Sequence, residues 1–405
     1  MRNDDTAAAT APKFSALGIS SDLVAVLDRA GITTAFPIQQ LCIPDALAGR
    51  DVCGKAQTGS GKTLAFGLPL VERIDAASRS KPSGLVLVPT RELAMQVADV
   101  IRPLAQSRGQ RLALIYGGSH MNKQIKDLER GADIVVATPG RLIDLVERGP
   151  AVLSHVSVVV IDEADRMADM GFLPQVEWLL RHTGGRHQTL LFSATLDSGI
   201  RGLVDRYQHD PVFHQAESRM ATVEEMLHRF LLVHEMDQPR VAAAIAGSAR
   251  RSLVFVNTKR QADRVARELN RSNVAAEAIH GDMQQRNRER TLRRFVSGDL
   301  PVVVATDVAA RGLDIDDVDM VIHYDPPPDH KTYLHRSGRT ARAGATGLAV
   351  TLVLWNEELI VRRIKRRLGL EEPIVEMFSN DPRLADLTGW DPSSDQVTPL
   401  DSAAQ

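Results

Sequence analysis

At 405 residues the chain is longer than one ordinary hydrophobic core organises, and a prior of about 150 residues per domain gives two domains and a remnant. Hydrophobic residues at 43% and charged residues at 25% are ordinary for a globular protein and far from disordered or membrane compositions; no run nears the ~20 apolar residues of a span. The start MRNDDTAAAT has no apolar secretory core, so a cytoplasmic protein is expected, and a net charge of −2 excludes attraction of a polyanion by bulk charge.

Residues 1–13 are expected to be a flexible N-terminus. From there, short apolar, β-branched runs alternate with helical stretches: 51-DVCGK-55, 85-LVLVP-89, 112-LALIYGG-118, 134-IVVATP-139, 157-SVVVID-162 and 189-TLLFSAT-195. Such alternation predicts parallel strands buried on both faces by crossover helices. A polar stretch around 214-HQAESRMATVEE-225 interrupts the pattern, which restarts at 253-LVFVNT-258, 275-AAEAIHG-281, 301-PVVVATD-307, 320-MVIHYD-325 and 347-GLAVTLV-353. The fold class is therefore α/β, two tandem doubly wound parallel-sheet domains over 14–215 and 226–370 joined by a short linker at 216–225. Residues 358–370, with Arg362, Arg363, Lys365, Arg366 and Arg367, read as a closing helix with a basic exposed side. Residues 371–405 carry eight acidic residues against Arg383 alone and are expected to be a flexible acidic tail. Cys42 and Cys53 lack metal-site spacing and read as buried structural thiols.

The chemistry is expected at the carboxyl ends of the strands, where Asp162, Ser193, Asn257 and Asp307 lie. The segment 56-AQTGSGKT-63, between a short strand and a helix, fits a phosphate-binding loop. Its residues Ala56, Gln57, Thr58, Gly59, Ser60 and Gly61 would wrap phosphates with backbone N–H groups. Lys62 would neutralise the β/γ charge, and Thr63 would offer a hydroxyl to Mg²⁺. Ala56 stands where the strict pattern has glycine. In 158-VVVIDEAD-165, Asp162 would hold the Mg²⁺ partly through water and Glu163 would activate the attacking water. The cluster 335-HRSGRTARAG-344 offers Arg339 and Arg342, three apart, as arginine fingers for transition-state charge once the domains close.

Taken in order across 14–344, this motif set resembles the DEAD-box helicases of superfamily two, of bacterial type, and the resemblance implies two RecA-like domains, ATP and Mg²⁺ as cofactors, and RNA as partner. By that resemblance Phe14 would pack near the adenine and Gln39, in 31-GITTAFPIQ-39, would hydrogen-bond its edge. Thr90 and Arg91 in 89-PTRELA-94, the pair Gly117 and Gly118, and Thr138, Pro139, Gly140 and Arg141 would contact RNA phosphates without reading bases. From the second domain Asn257, Gln285, Arg288 and Thr306 would serve RNA, and Asp314 the ATP ribose. Ser193 and Thr195 of 193-SAT-195 would couple hydrolysis to strand separation through Asp165 and His335.

Ala341 replaces the glycine expected between Thr340 and Arg342, and no basic or Gly/Arg-rich extension points to a particular RNA. The implied function is RNA-stimulated ATP hydrolysis driving local, non-processive unwinding of short duplexes or remodelling of RNA–protein complexes. A DNA-directed helicase of the same superfamily, a non-catalytic RNA-binding scaffold and a small-molecule phosphotransferase are the rivals. The Gln39 segment and the DEAD spelling oppose the first, the retained Lys62, Asp162, Glu163, Arg339 and Arg342 the second, and the motif-bearing second domain the third.

Overall fold

The computed structural model describes residues 11–56, 60–74, 81–216, 226–310, 318–340 and 347–394, with Gln285 and Val308 by backbone alone. The chain divides into two compact units, Met1–Ser218 and Arg219–Gln405. In the first unit the strands are β1 (Val52–Lys55), β2 (Gly84–Leu87), β3 (Leu112–Ile115), β4 (Ile134–Ala137), β5 (Val158–Ile161), β6 (Gln188–Ser193) and β7 (Val212–Gln215). In the second they are β8 (Met226–Leu232), β9 (Ser252–Val256), β10 (Ala276–Ile279), β11 (Val302–Thr306), β12 (Met320–His323), β13 (Gly347–Val353) and β14 (Ile374–Glu376).

Each unit holds one seven-stranded sheet, ordered β3-β4-β2-β5-β6-β1-β7 and β10-β11-β9-β12-β13-β8-β14. Counted from β8 as its first strand, the second order repeats the first strand for strand. Among the described residues every strand pairing within the two sheets is parallel. The two-residue period of a strand divides the core: Val86, Val136, Val160 and Leu190 face one layer of helices, while Leu85, Val135, Val159 and Leu191 face the other. In the second unit Val254, Val304 and Ile322 oppose Leu253, Val303 and Val321 in the same way. Both faces are covered, as a parallel sheet requires.

Two expectations fail at the edges. His214 and Gln215, which open the polar stretch read as interrupting the strand pattern, end β7, which pairs with β1. The acidic tail does not begin at 371 as a flexible segment: β14 pairs with β8, and Met377, Leu384 and Leu387 are buried in the second core. Arg229, buried on β8, donates to the carbonyls of Leu387 at 3.0 Å and Trp390 at 2.6 Å, and its guanidinium lies 5.7 Å from the Trp390 ring. The β14 strand completes the second sheet as β7 completes the first. Cys42 and Cys53 are free and fully buried, and burial pushes their thiols up to about 12 and about 11.

Candidate active site

The phosphate-loop segment leaves the carboxyl end of β1 and enters the helix Lys62–Arg73. Ala56 N–H donates to the Ser193 carbonyl at 3.0 Å, tying the start of the loop to the end of β6. The buried Lys62 reaches back so that Nζ donates to the Ala56 carbonyl at 3.0 Å, which spans the loop with its own cation. Gly61 sits at φ +86°, and a Cβ there would lie 2.5 Å from Gln39 Nε2 and 2.6 Å from Phe36 Cδ2. Only glycine allows that turn and that approach.

Gln39 is the third residue of the helix Pro37–Leu47, whose first position is proline as a helix start favours. Its Oε1 accepts from Phe36 N–H at 2.8 Å, and its Nε2 donates to the Gly61 carbonyl at 2.9 Å. The buried amide thereby clamps the loop's Gly61 to the start of the helix. Phe14, expected near the adenine, belongs to the core that also holds Ile38. It is 2% exposed inside the apolar core, and Ala35 N–H donating to the Pro12 carbonyl at 3.0 Å fixes its segment beneath the Gly31–Gln39 turn. The open aromatic beside the loop is Phe36, 56% exposed, which sequence reasoning passed over because it reads as the hydrophobic residue before a helix.

Asp162 and Glu163 follow β5, in the centre of the sheet. Asp162 is 2% exposed; burial pushes its carboxyl up to about 6 against the opposing pull of Lys62, and its Oδ1 accepts Glu163 N–H at 2.9 Å. Glu163 adopts φ 52°, ψ 51°, a left-handed conformation that costs a non-glycine residue about 1–3 kcal/mol and persists where the surroundings enforce it. Arg166, one turn along the helix Ala164–Asp169, pairs with the Glu163 carboxylate at 3.0 Å in a buried setting. Arg166 carries no motif signal beyond its i,i+3 spacing from Glu163. Asp165 N–H donates to the Ser193 hydroxyl at 3.1 Å, so Ser193 is joined to the DEAD turn through backbone.

At the ends of β2, β3 and β4 the expected RNA-contacting residues meet. Arg91 lies so close to Gly118 that a Cβ there would be 2.7 Å from its Nη1, with Gly118 at φ +81°. Arg141 donates to the Ser119 carbonyl at 3.2 Å. Thr90 caps the helix Arg91–Ser107, its hydroxyl accepting Leu93 N–H at 3.3 Å, and Thr138 precedes the helix that opens with Pro139. Gly117 and Gly140 face open space.

In the second unit the organising residue is Arg336, which the basic cluster contained without an assigned role. It is 1% exposed, binds both oxygens of Asp307 at 2.7 Å, and donates to the Asp325 carbonyl at 2.8 Å and Asn257 Oδ1 at 3.1 Å. One guanidinium thus ties the carboxyl ends of β9, β11 and β12. Arg288, expected at the RNA groove, is buried and donates to the Ala309 carbonyl at 2.8 Å; Thr306 is buried at the end of β11. His335 is exposed on the helix His330–Ser337, and Arg339 beyond it is 9% exposed. Gln57, Thr58, Gly59, Asp314, Arg342 and the side chain of Gln285 lie outside the described residues.

Residues 36–202 match the DEAD/DEAH box helicase family model and 238–344 the helicase conserved C-terminal domain. The chain belongs to the DEAD-box family of ATP-dependent RNA helicases. The DEAD-box ATP-dependent RNA helicase CshA of Geobacillus kaustophilus is 41% identical over 380 residues, 92% of this chain and 81% of that one. The ATP-dependent RNA helicase CshA of Listeria monocytogenes is 40% identical over 381 residues, 92% and 73% of the two chains. Among solved structures, S. cerevisiae Dbp5 bound to RNA and ADP BeF3 superposes with a TM-score of 0.79 at 28% identity over 92% of this chain and 97% of that one. The two parallel sheets are therefore the tandem RecA-like folds of a DEAD-box helicase. Among the described residues no helix is long and apolar enough to cross a membrane.

Proposed function

We propose that this DEAD-box helicase uses Lys62, Thr63, Asp162 and Glu163 as its hydrolytic centre, with Gln39 reading adenine and Asp314 the ribose. The observation that carries this reading is the convergence of a buried lysine, a buried aspartate and a strained glutamate at the carboxyl ends of β1 and β5. A buried carboxyl held up to about 6 is an anion still short of positive charge, which is the environment a divalent cation relieves. Mg²⁺ fits these residues, because it keeps several waters and takes one or two protein oxygens alongside the phosphates; Thr63 and Asp162 would hold it and it would shield phosphate charge. Glu163 takes the proton of the attacking water. Arg339 and Arg342 act on the developing phosphate charge as arginine fingers.

RNA binding by this chain is proposed to be blind to sequence, because Thr90, Arg91, Gly117, Gly118 and 138–141 offer hydroxyl, backbone and guanidinium donors suited to phosphate. Asn257, Gln285, Arg288 and Thr306 support the same strand, directly or by holding the backbone that does. Asp165, Ser193, Thr195 and His335 transmit hydrolysis into local strand separation. The cytoplasm is the proposed location. The test is Glu163→Gln: fluorescent ATP analogue and single-stranded RNA should still bind, turnover should fall by about 10²–10⁴, and RNA should dissociate more slowly in ATP. Rapid RNA release with near-normal turnover would remove Glu163 from this role.

A further inference from the structure

The second unit carries an exposed apolar and basic surface that none of the motifs uses. Trp355, 81% exposed, lies in the turn after β13, and Leu359, 80% exposed, opens the helix Glu358–Leu368. At about 100° per residue, Leu359, Arg362, Arg363 and Arg366 share one face of this helix, with Arg367 at its margin. Val361 and Ile364 point the opposite way, into the core with Tyr333 and Phe230. Arg362 pairs with Glu358 at 2.9 Å; Arg363, Arg366 and Arg367 are exposed and make no ion pair among the described residues. Met236, 84% exposed, lies four residues beyond the end of β8, which pairs with the end of β13.

The dipole at the end of the helix favours Arg366 and Arg367 but accounts for neither Arg363 nor an indole left in water. Trp355 lies on the carboxyl edge of the sheet that also carries Asn257 after β9, and only β12 separates β9 from β13, about 10 Å at the usual strand spacing. Unpaired guanidiniums along the helix that follows an exposed indole suit a phosphate backbone running from a stacked base. We propose that Trp355 with Arg363, Arg366 and Arg367 forms an auxiliary site for single-stranded RNA running beyond the core motifs.

The experiment compares full-length wild type with Trp355→Ala and with the triple variant Arg363→Gln, Arg366→Gln, Arg367→Gln, binding oligouridylate of about 8 and about 24 nucleotides. The shorter RNA should bind all three alike and stimulate their ATPase alike. The longer RNA should bind Trp355→Ala roughly fivefold or more weakly, and the triple variant should show a salt slope shallower by about 2, at ~0.7 per lost contact on a single strand. Equal affinities for the longer RNA, or equal losses on both lengths, would overturn the site. So would displacement of the longer RNA by polyglutamate as effective as by polyuridylate, which would mark a surface for acidic protein.

Discussion

Gly61 shows how little space the nucleotide loop leaves. Gly61→Ala adds a methyl 2.5 Å from the Gln39 amide at a left-handed φ, so ATP affinity should fall at least tenfold while the fold survives, as read by fluorescent-nucleotide titration beside a thermal melt. Unchanged affinity would show that the Gln39 clamp is not needed. Arg336→Ala removes the cation from Asp307 in a buried setting and should cost the second unit about 3–5 kcal/mol in urea, with RNA stimulation lost; a loss under about 1 kcal/mol would contradict the hub role. Lys62, Asp162, Glu163 and Gln39 were legible because each sits at a fixed offset in a short motif. Arg166, Arg336 and Phe36 were not, because their roles arise from contacts: an i,i+3 pair, a bond to residue 307, and a ring beside a glycine twenty-five positions away.

At the scale of elements, continuous apolar runs announced the central strands, whereas β8, interrupted by the buried His228 and Arg229, and the edge strands β7 and β14 escaped. The β7 strand alternates half-buried and exposed residues, and β14 spans three residues within an acidic stretch, so neither has the continuous apolar run of a strand covered on both sides. Deleting residues 371–405 would strip Met377, Leu384 and Leu387 from the core, worth about 1.5–3 kcal/mol each, and free the edge of β8. The truncated chain should therefore show a strongly destabilised second unit in urea; an unchanged midpoint would return the segment to the flexible tail first expected. A second test concerns the buried His323, stacked 4.8 Å from Tyr333 and joined to Ser337 at 3.1 Å. Burial and the nearby Arg336 and His228 hold its pKa well below 6.5. An unfolded chain then takes up the proton first, so stability is full above pH ~6.5 and is lost as pH falls below it. The urea midpoint of the second unit, followed by Trp390 fluorescence, should drop between pH 7.5 and 5.5 by roughly the linkage slope of one proton, and His323→Phe should flatten that dependence. A wild-type midpoint that does not move with pH would contradict the neutral His323.

For the whole molecule, two sheets of the same strand order carry the DEAD turn after β5 on one and Arg336 tying β9, β11 and β12 on the other. A net charge of −2 concealed this, because the arginines of 336–342 and 362–367 are local and the 51 acidic residues of the whole chain offset them in the total. The domain count and class followed from the restart of the strand pattern; the identical order of the two sheets did not, since the edge strands that complete the match carry the weakest signal. The central claim is that ATP turnover answers to RNA. ATP hydrolysis by the full chain should be measured alone, with single-stranded RNA, and with DNA of the same sequence: strong stimulation by RNA only is the predicted result, and equal stimulation by DNA, or none by either, would contradict it.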